Sequence, residues 1–142
     1  MKTERINKMA EMEIKELSPR EIAEIAVKAL DSKRAKDIKL LYVEEQTVLA
    51  DYYVLATGNS NTQINALSGE VEHKLAEAGV TVGHIEGFGN GTWVLMDYGC
   101  VAVHIFSREA RDFYNLDKLW SDSENVDITP IVTVEENNEK RD

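Results

Sequence analysis

Gly58-Asn59-Ser60 is the stretch that comes closest to a chemical device. It stands between a β-forming run, ADYYVLAT, and a helix start, Ser60-Asn61-Thr62-Gln63. Such a turn presents amide N–H groups and the positive end of a helix dipole, so it can hold a phosphate. An enzyme moving nucleotidyl groups from it would also need paired carboxylates on the following strand, because its Mg²⁺ must bridge the nucleotide phosphates. No Asp-x-Asp stands there: Asp97 is alone, and Asp122 with Glu124 falls in the tail. A Gly-x-x-x-x-Gly-Lys phosphate loop is missing as well. The turn therefore reads as a glycine break before a capped helix, with nucleotide binding through Gly58–Ser60 as the alternative. His73, His84 and His104 share no metal-ligand spacing, and Cys100 has no base beside it in sequence. No catalytic residue, metal or cofactor is expected, and the chain reads as a binding protein rather than an enzyme.

The elements that must position these residues are well marked. Ser18-Pro19-Arg20-Glu21 is a helix start with a capping box and a proline at the first helical position. Ile22, Ile25, Ala26 and Ala29 follow as one apolar stripe, fading by Lys33–Lys36. Residues 38–43 and 50–57 read as strands. Ile64, Leu67, Val71, Leu75 and Ala78 lie at helical spacing, and Gly79 ends that helix. A short strand over 80–85, a glycine-rich loop over 86–91, a hairpin and short helices at 108–113 and 115–120 complete the order. The expectation is an α/β fold: one domain with a mixed β-sheet flanked by helices. Its core should include Ile22, Ala26, Leu41, Val54, Leu67, Val71, Val94, Val101 and Val103.

The hairpin TWVLMDYGCVAVHIF, residues 92–106, has two unlike faces. With the turn at Tyr98-Gly99, Trp93 faces His104, Leu95 faces Ala102 and Asp97 faces Cys100 on one side. Val94, Met96, Val101, Val103 and Ile105 form the other, a face that needs a core. Trp93 is as fit for an interface as for a core, since Trp and Tyr are common interface anchors. Phe113 reads as core.

Across its 142 residues the chain carries a net charge of −10, unevenly spread. Residues 1–36 hold nine Lys/Arg and seven Asp/Glu, whereas 37–142 hold seven and nineteen, which is −12. An acidic body repels phosphates and suits a basic protein partner. No apolar run is long enough for a bilayer, and the N-terminus lacks a leader pattern. A single cysteine agrees with a cytoplasmic setting.

In order and spacing, several words of the chain resemble the ribosomal silencing factor (Iojap-like) family: ADYYVLATGNS with Gln63, then Glu86-Gly87, WVLMDYG, VHIF and RDFYNLDKLW. They cover about residues 18–122; an N-terminal arm (1–17) and an acidic tail (123–142) fall outside. Two departures are Asp117, where the family often has Glu, and Cys100, where it often has an acid. The resemblance implies a topology similar to nucleotidyltransferases without their active site. It implies docking on protein fourteen of the large ribosomal subunit, a block on joining of the subunits, repressed translation when nutrients are short, and homodimers. It places the contact on Trp93, Leu95, Asp97, Tyr98 and Gly99, with Glu86, Gly87 and His104 nearby. Trp93 and Tyr98 would be the desolvated anchors. No direct sequence-specific contact with nucleic acid and no membrane partner are implied.

Overall fold

Ser18 begins the first helix, α1 (Pro19–Ser32), by the reciprocal bonds its sequence promises. The Glu21 N–H donates to Ser18 Oγ at 3.1 Å, and the Ser18 N–H donates to Glu21 Oε1 at 2.8 Å. The structure, a computed structural model, describes residues 17–87 and 92–132. Most of the expected arm, the centre of the glycine-rich loop and the end of the tail lie outside those residues.

After α1 come β1 (Lys36–Tyr42), β2 (Tyr52–Gly58), α2 (Asn61–Glu77), β3 (His84–Glu86), β4 (Trp93–Asp97), β5 (Val101–Ser107), α3 (Arg108–Tyr114), α4 (Leu116–Leu119) and β6 (Glu124–Val126). The six strands form one sheet in the order β3-β4-β5-β2-β1-β6. It is mixed: β2 and β5 are parallel, and the other neighbours are antiparallel. The parallel pair is bridged by α2 and the β3–β4 hairpin, as a parallel pair needs a long crossover. β6 was not foreseen. Only Val126 of its three residues is buried, so the segment carries little strand pattern of its own.

α1 and α2 cover one face of the sheet. Ile22, Ala26, Leu30, Leu67, Val71 and Leu75 pack there against Val54, Val94, Val101, Val103 and Ile105. Every residue expected in the core except Phe113 is buried, with Leu41 on the opposite face. Val94, Met96, Val101, Val103 and Ile105 are fully enclosed, as the apolar side of the hairpin requires.

The hairpin register differs from expectation by two residues. Trp93 pairs with Phe106, Leu95 with His104 and Asp97 with Ala102. Gly99, at φ +86°, and Cys100 form the centre of the turn, and Tyr98 bonds Val101 across it. Glycine takes the positive φ at the first central position cheaply, which moves the turn one residue along. A shift of two preserves parity, so the paired side chains keep their expected faces, whereas Cys100 enters the turn and packs with the core under α1 and α2.

On the second face Leu41, Val43, Ala50, Tyr53, Leu55, Ala102, Phe106 and Ala110 form a smaller core under α3 and α4. Arg111 fastens these two helices. Its guanidinium is buried and donates to Thr57 Oγ1 at 2.7 Å and to both oxygens of Asp117 at 2.8 and 3.0 Å. Lys39 reaches Asp117 at 2.9 Å. Arg111 and Lys39 together hold the Asp117 carboxyl well below the usual carboxylate range. Arg111→Met is expected to lower stability by about 2 kcal/mol, because it leaves the half-buried Asp117 carboxylate with Lys39 alone and removes Thr57's partner. Urea unfolding of the variant beside the unaltered chain measures this.

Candidate functional site

α3 and α4 cover only the β1–β2–β5 half of the second face. The rest, built from β3, β4 and the edge of β5, gathers several of the expected docking residues. Cross-strand pairing sets Glu86 beside Leu95 and His84 beside Asp97. Leu95 in turn lies beside His104, and Trp93 beside Phe106. Glu86 and Asp97 are exposed, Trp93 and Leu95 half-buried. His84 and Glu86 bond each other at 3.0 Å.

Trp93 sits in an aromatic cluster. Its ring centroid lies 5.0 Å from Phe106, 5.9 Å from His104 and 4.5 Å from Tyr114 of α3. Tyr53 meets His104 edge-on at 5.3 Å and Trp120 at 5.1 Å, extending the cluster across the sheet. Tyr114 flanks Trp93 rather than sealing it. Phe113, expected in the core, is 79% exposed and meets Tyr114 edge-on at 5.0 Å. A seven-residue helix lying flat on the sheet buries Ala110 and Arg111 and points Phe113 outward. Leu119 is also exposed nearby in sequence. Tyr114 and Phe113 thus join the expected face; their signal was the aromatic density of RDFYNLDKLW, which gives no direction for each ring.

His104 is 7% exposed. Trp93 Nε1–H donates to its Nδ1 at 3.2 Å, which fixes the neutral ring with its proton on Nε2. Burial pushes its pKa down from 6.5 to about 4. It orients Trp93 from beneath.

Tyr98 lies elsewhere. It alternates with Asp97 and packs with the core under α1 and α2. Its hydroxyl is buried without a hydrogen-bond partner among the described residues, and burial, with Glu72 adding, pushes its pKa up to about 12. Tyr98, expected beside Trp93 among the anchors, thus packs on the other face of the hairpin from Trp93. Gly99 is in the turn at the far end of β4 from Trp93, and Gly87, at φ +81°, closes β3.

The other candidates have structural roles. His73 is exposed and pairs with Glu77 at 3.1 Å. Burial pushes the Cys100 thiol up, with Asp51 adding, which disfavours the reactive thiolate. In the Gly58–Ser60 turn the Asn59 N–H donates to Gln63 Oε1 at 2.6 Å, and the Gln63 N–H donates to Ser60 Oγ at 3.0 Å. These amides are occupied within the turn. Gly58 has a packing reason: a Cβ there would stand 2.8 Å from Ile64 Cγ1.

A mixed sheet with two long helices on one face and a half-open aromatic face on the other defines an α/β domain of the kind found in solved relatives. A crystal structure from Chromobacterium violaceum superposes with a TM-score of 0.72 at 40% identity, covering 74% of this chain and 88% of that one. The chain belongs to the ribosomal silencing factor family: the model described as "Ribosomal silencing factor during starvation" matches residues 16–142. It is 40% identical over 112 residues to the ribosomal silencing factor of Bacillus subtilis, covering 79% of this chain and 95% of that protein. The factor of Halalkalibacterium halodurans is 33% identical over 117 residues, covering 82% and 100%. Among the described residues no helix is long and apolar enough to cross a membrane.

The buried neutral His104 makes stability pH-dependent. Between its unfolded value near 6.5 and its folded value near 4, the unfolded chain binds the extra proton, so stability rises with pH. The contribution is complete above pH 6.5 and is lost on acidification, on the order of 2–3 kcal/mol by pH 4. His104→Gln should flatten the slope of unfolding free energy between pH 6.5 and 5, measured by urea titration.

Proposed function

We propose that this protein is a ribosome-docking repressor whose contact surface is the open half of the second sheet face. The observation that carries the reading is the half-buried Trp93 and Leu95, held in place by His104 and Tyr114 and flanked by the exposed acids Asp97 and Glu86. Desolvated aromatic and aliphatic anchors with a charged rim are the usual anatomy of an interface. The family name supports the ribosome as the target. The partner is protein fourteen of the large subunit, a basic protein that the acidic rim would pair with through Lys or Arg. Gly87 lies at the border of the surface. Tyr98 and Gly99 lie beyond Asp97 at the β4–β5 turn, away from Trp93.

The mechanism is steric. A folded domain seated on the large subunit's joining face occupies volume that the small subunit needs, so no bond is made or broken. Translation falls as free large subunits are taken out of use, which suits nutrient shortage. The setting is the cytoplasm, and a homodimer that hides the same aromatic face would compete with docking. The nucleotidyl-transfer reading is disfavoured by the Gly58–Ser60 turn, whose Asn59 and Gln63 amides already have partners.

Trp93→Ala is expected to weaken cosedimentation with purified large subunits by at least thirtyfold, as loss of a central aromatic anchor costs ~2–4 kcal/mol. In a joining assay with both subunits, the unaltered protein should lower the yield of joined ribosomes and Trp93→Ala should not. A folded Trp93→Ala protein that still blocks joining at equal dose refutes the assignment.

A further inference from the structure

We propose that the corner made by Lys33, Arg34 and Lys36 is a second contact surface, which grips an RNA phosphate backbone on the large subunit. The inference rests on the docking reading above and adds a partner of different chemistry.

The first observation is charge placement. The chain beyond residue 36 carries −12, yet Lys33, Arg34 and Lys36 stand within four positions and are all exposed. Among the described residues, none of them makes an ion pair. Arg20 pairs with Glu24, Lys39 and Arg111 with Asp117, Lys74 with Glu77, and Arg108 with Asp37 and Asp112; Lys28 and Lys118 also make no ion pair among the described residues, but each stands apart, whereas Lys33, Arg34 and Lys36 are clustered. The nearest acids in sequence are Asp37, already engaged by Arg108, and the half-buried Asp31. Charges further away are screened beyond about 8–10 Å, so the corner is locally cationic on an acidic protein.

The second observation is that the corner is held in one conformation. α1 ends with the Ala35 N–H on the Leu30 carbonyl and the Arg34 N–H on the Asp31 carbonyl, both at 3.0 Å. This closing pattern puts its left-handed residue at Arg34, φ +63°, where glycine is ordinarily favoured. Gln63 Nε2 bonds the carbonyls of both Lys33 and Arg34 at 3.2 Å and ties the corner to the β2–α2 turn. Arg34 thus stands at a position that glycine would fill with less strain.

The third observation is alignment with the docking face. Lys36 pairs with Thr57, Thr57 with Phe106, and Phe106 with Trp93, so corner and anchor lie in one cross-strand row. Three strand spacings separate their backbones, about 14 Å. One ribosomal surface can therefore meet both. The corner carries no exposed large apolar side chain, so it lacks the desolvated centre that a protein partner would need. Exposed cations flanked by the exposed Asn59 and Asn61 suit phosphate oxygens instead.

The test uses the full chain and purified large subunits, titrated between 50 and 200 mM KCl. The altered protein is Lys33→Ala/Arg34→Gly/Lys36→Ala; glycine at 34 keeps the left-handed turn, and an unchanged thermal midpoint confirms folding. The triple variant is expected to bind about tenfold more weakly near 100 mM KCl. Its slope of log affinity against log salt should fall by about 2, since each phosphate contact contributes ~0.7–0.9. Equal affinity and equal slope would overturn the proposal while leaving docking through Trp93 intact. Loss of all binding by the unaltered protein would overturn both readings. A photocrosslinker on Arg34→Cys, in a Cys100→Ser background, supplies the second readout. A product on bound subunits that ribonuclease removes supports the RNA contact, whereas a product with ribosomal protein alone, or none, refutes it.

Discussion

A buried guanidinium cannot be left unpaired, and much of this structure is arranged around that constraint. Arg111 takes its partners from two directions: Thr57 at the end of β2, and the two oxygens of Asp117 from the helix after its own. Lys39 adds a strand from the far side. The network stretches over β1, β2, α3 and α4, and it fixes how far the short helices can spread over the second face. They cover the smaller core and stop. The open remainder is where Trp93 and Leu95 lie, and Tyr114 is set against Trp93 by the helix that Arg111 anchors.

The open face is polarised between support and contact. His104 is enclosed, neutral and bonded to Trp93, so it holds the indole plane without spending a charge in a dry site. Leu95 and Trp93 present apolar surface, and Glu86 and Asp97 present carboxylates at the rim. The other side of the same hairpin is fully apolar and buried under α1 and α2. Alternation along a strand lets one ribbon anchor itself in the core and offer a distinct surface outward.

Charge adds a second asymmetry. An acidic body is well matched to a basic protein but poorly matched to a particle rich in RNA. The cations at the end of α1 lie in the same cross-strand row as Trp93, so protein-facing and phosphate-facing chemistry share one end of the sheet. Steering by such a distribution orients the encounter as well as strengthening it.

Local chemistry was readable from the chain alone. The caps at Ser18 and Ser60, the end of α2 at Gly79, the buried stripe of each long helix and the two faces of the hairpin all follow from neighbours within a few residues, and all are present in the structure. Tertiary structure decided the rest. The hairpin register depended on which residue could take positive φ, and Gly99 shifted it by two. β6 exists only because β1 offers it an edge. Phe113 points outward because α3 lies flat on the sheet, and Tyr98 faces inward because α2 covers its side. The row linking Lys36 to Trp93 joins residues far apart in sequence through strand pairing that no local pattern encodes. Periodicity and capping are set by short-range sterics and hydrogen bonds, so the sequence by itself determined them; which faces are covered and which groups meet depends on long-range packing, which only the folded chain decides.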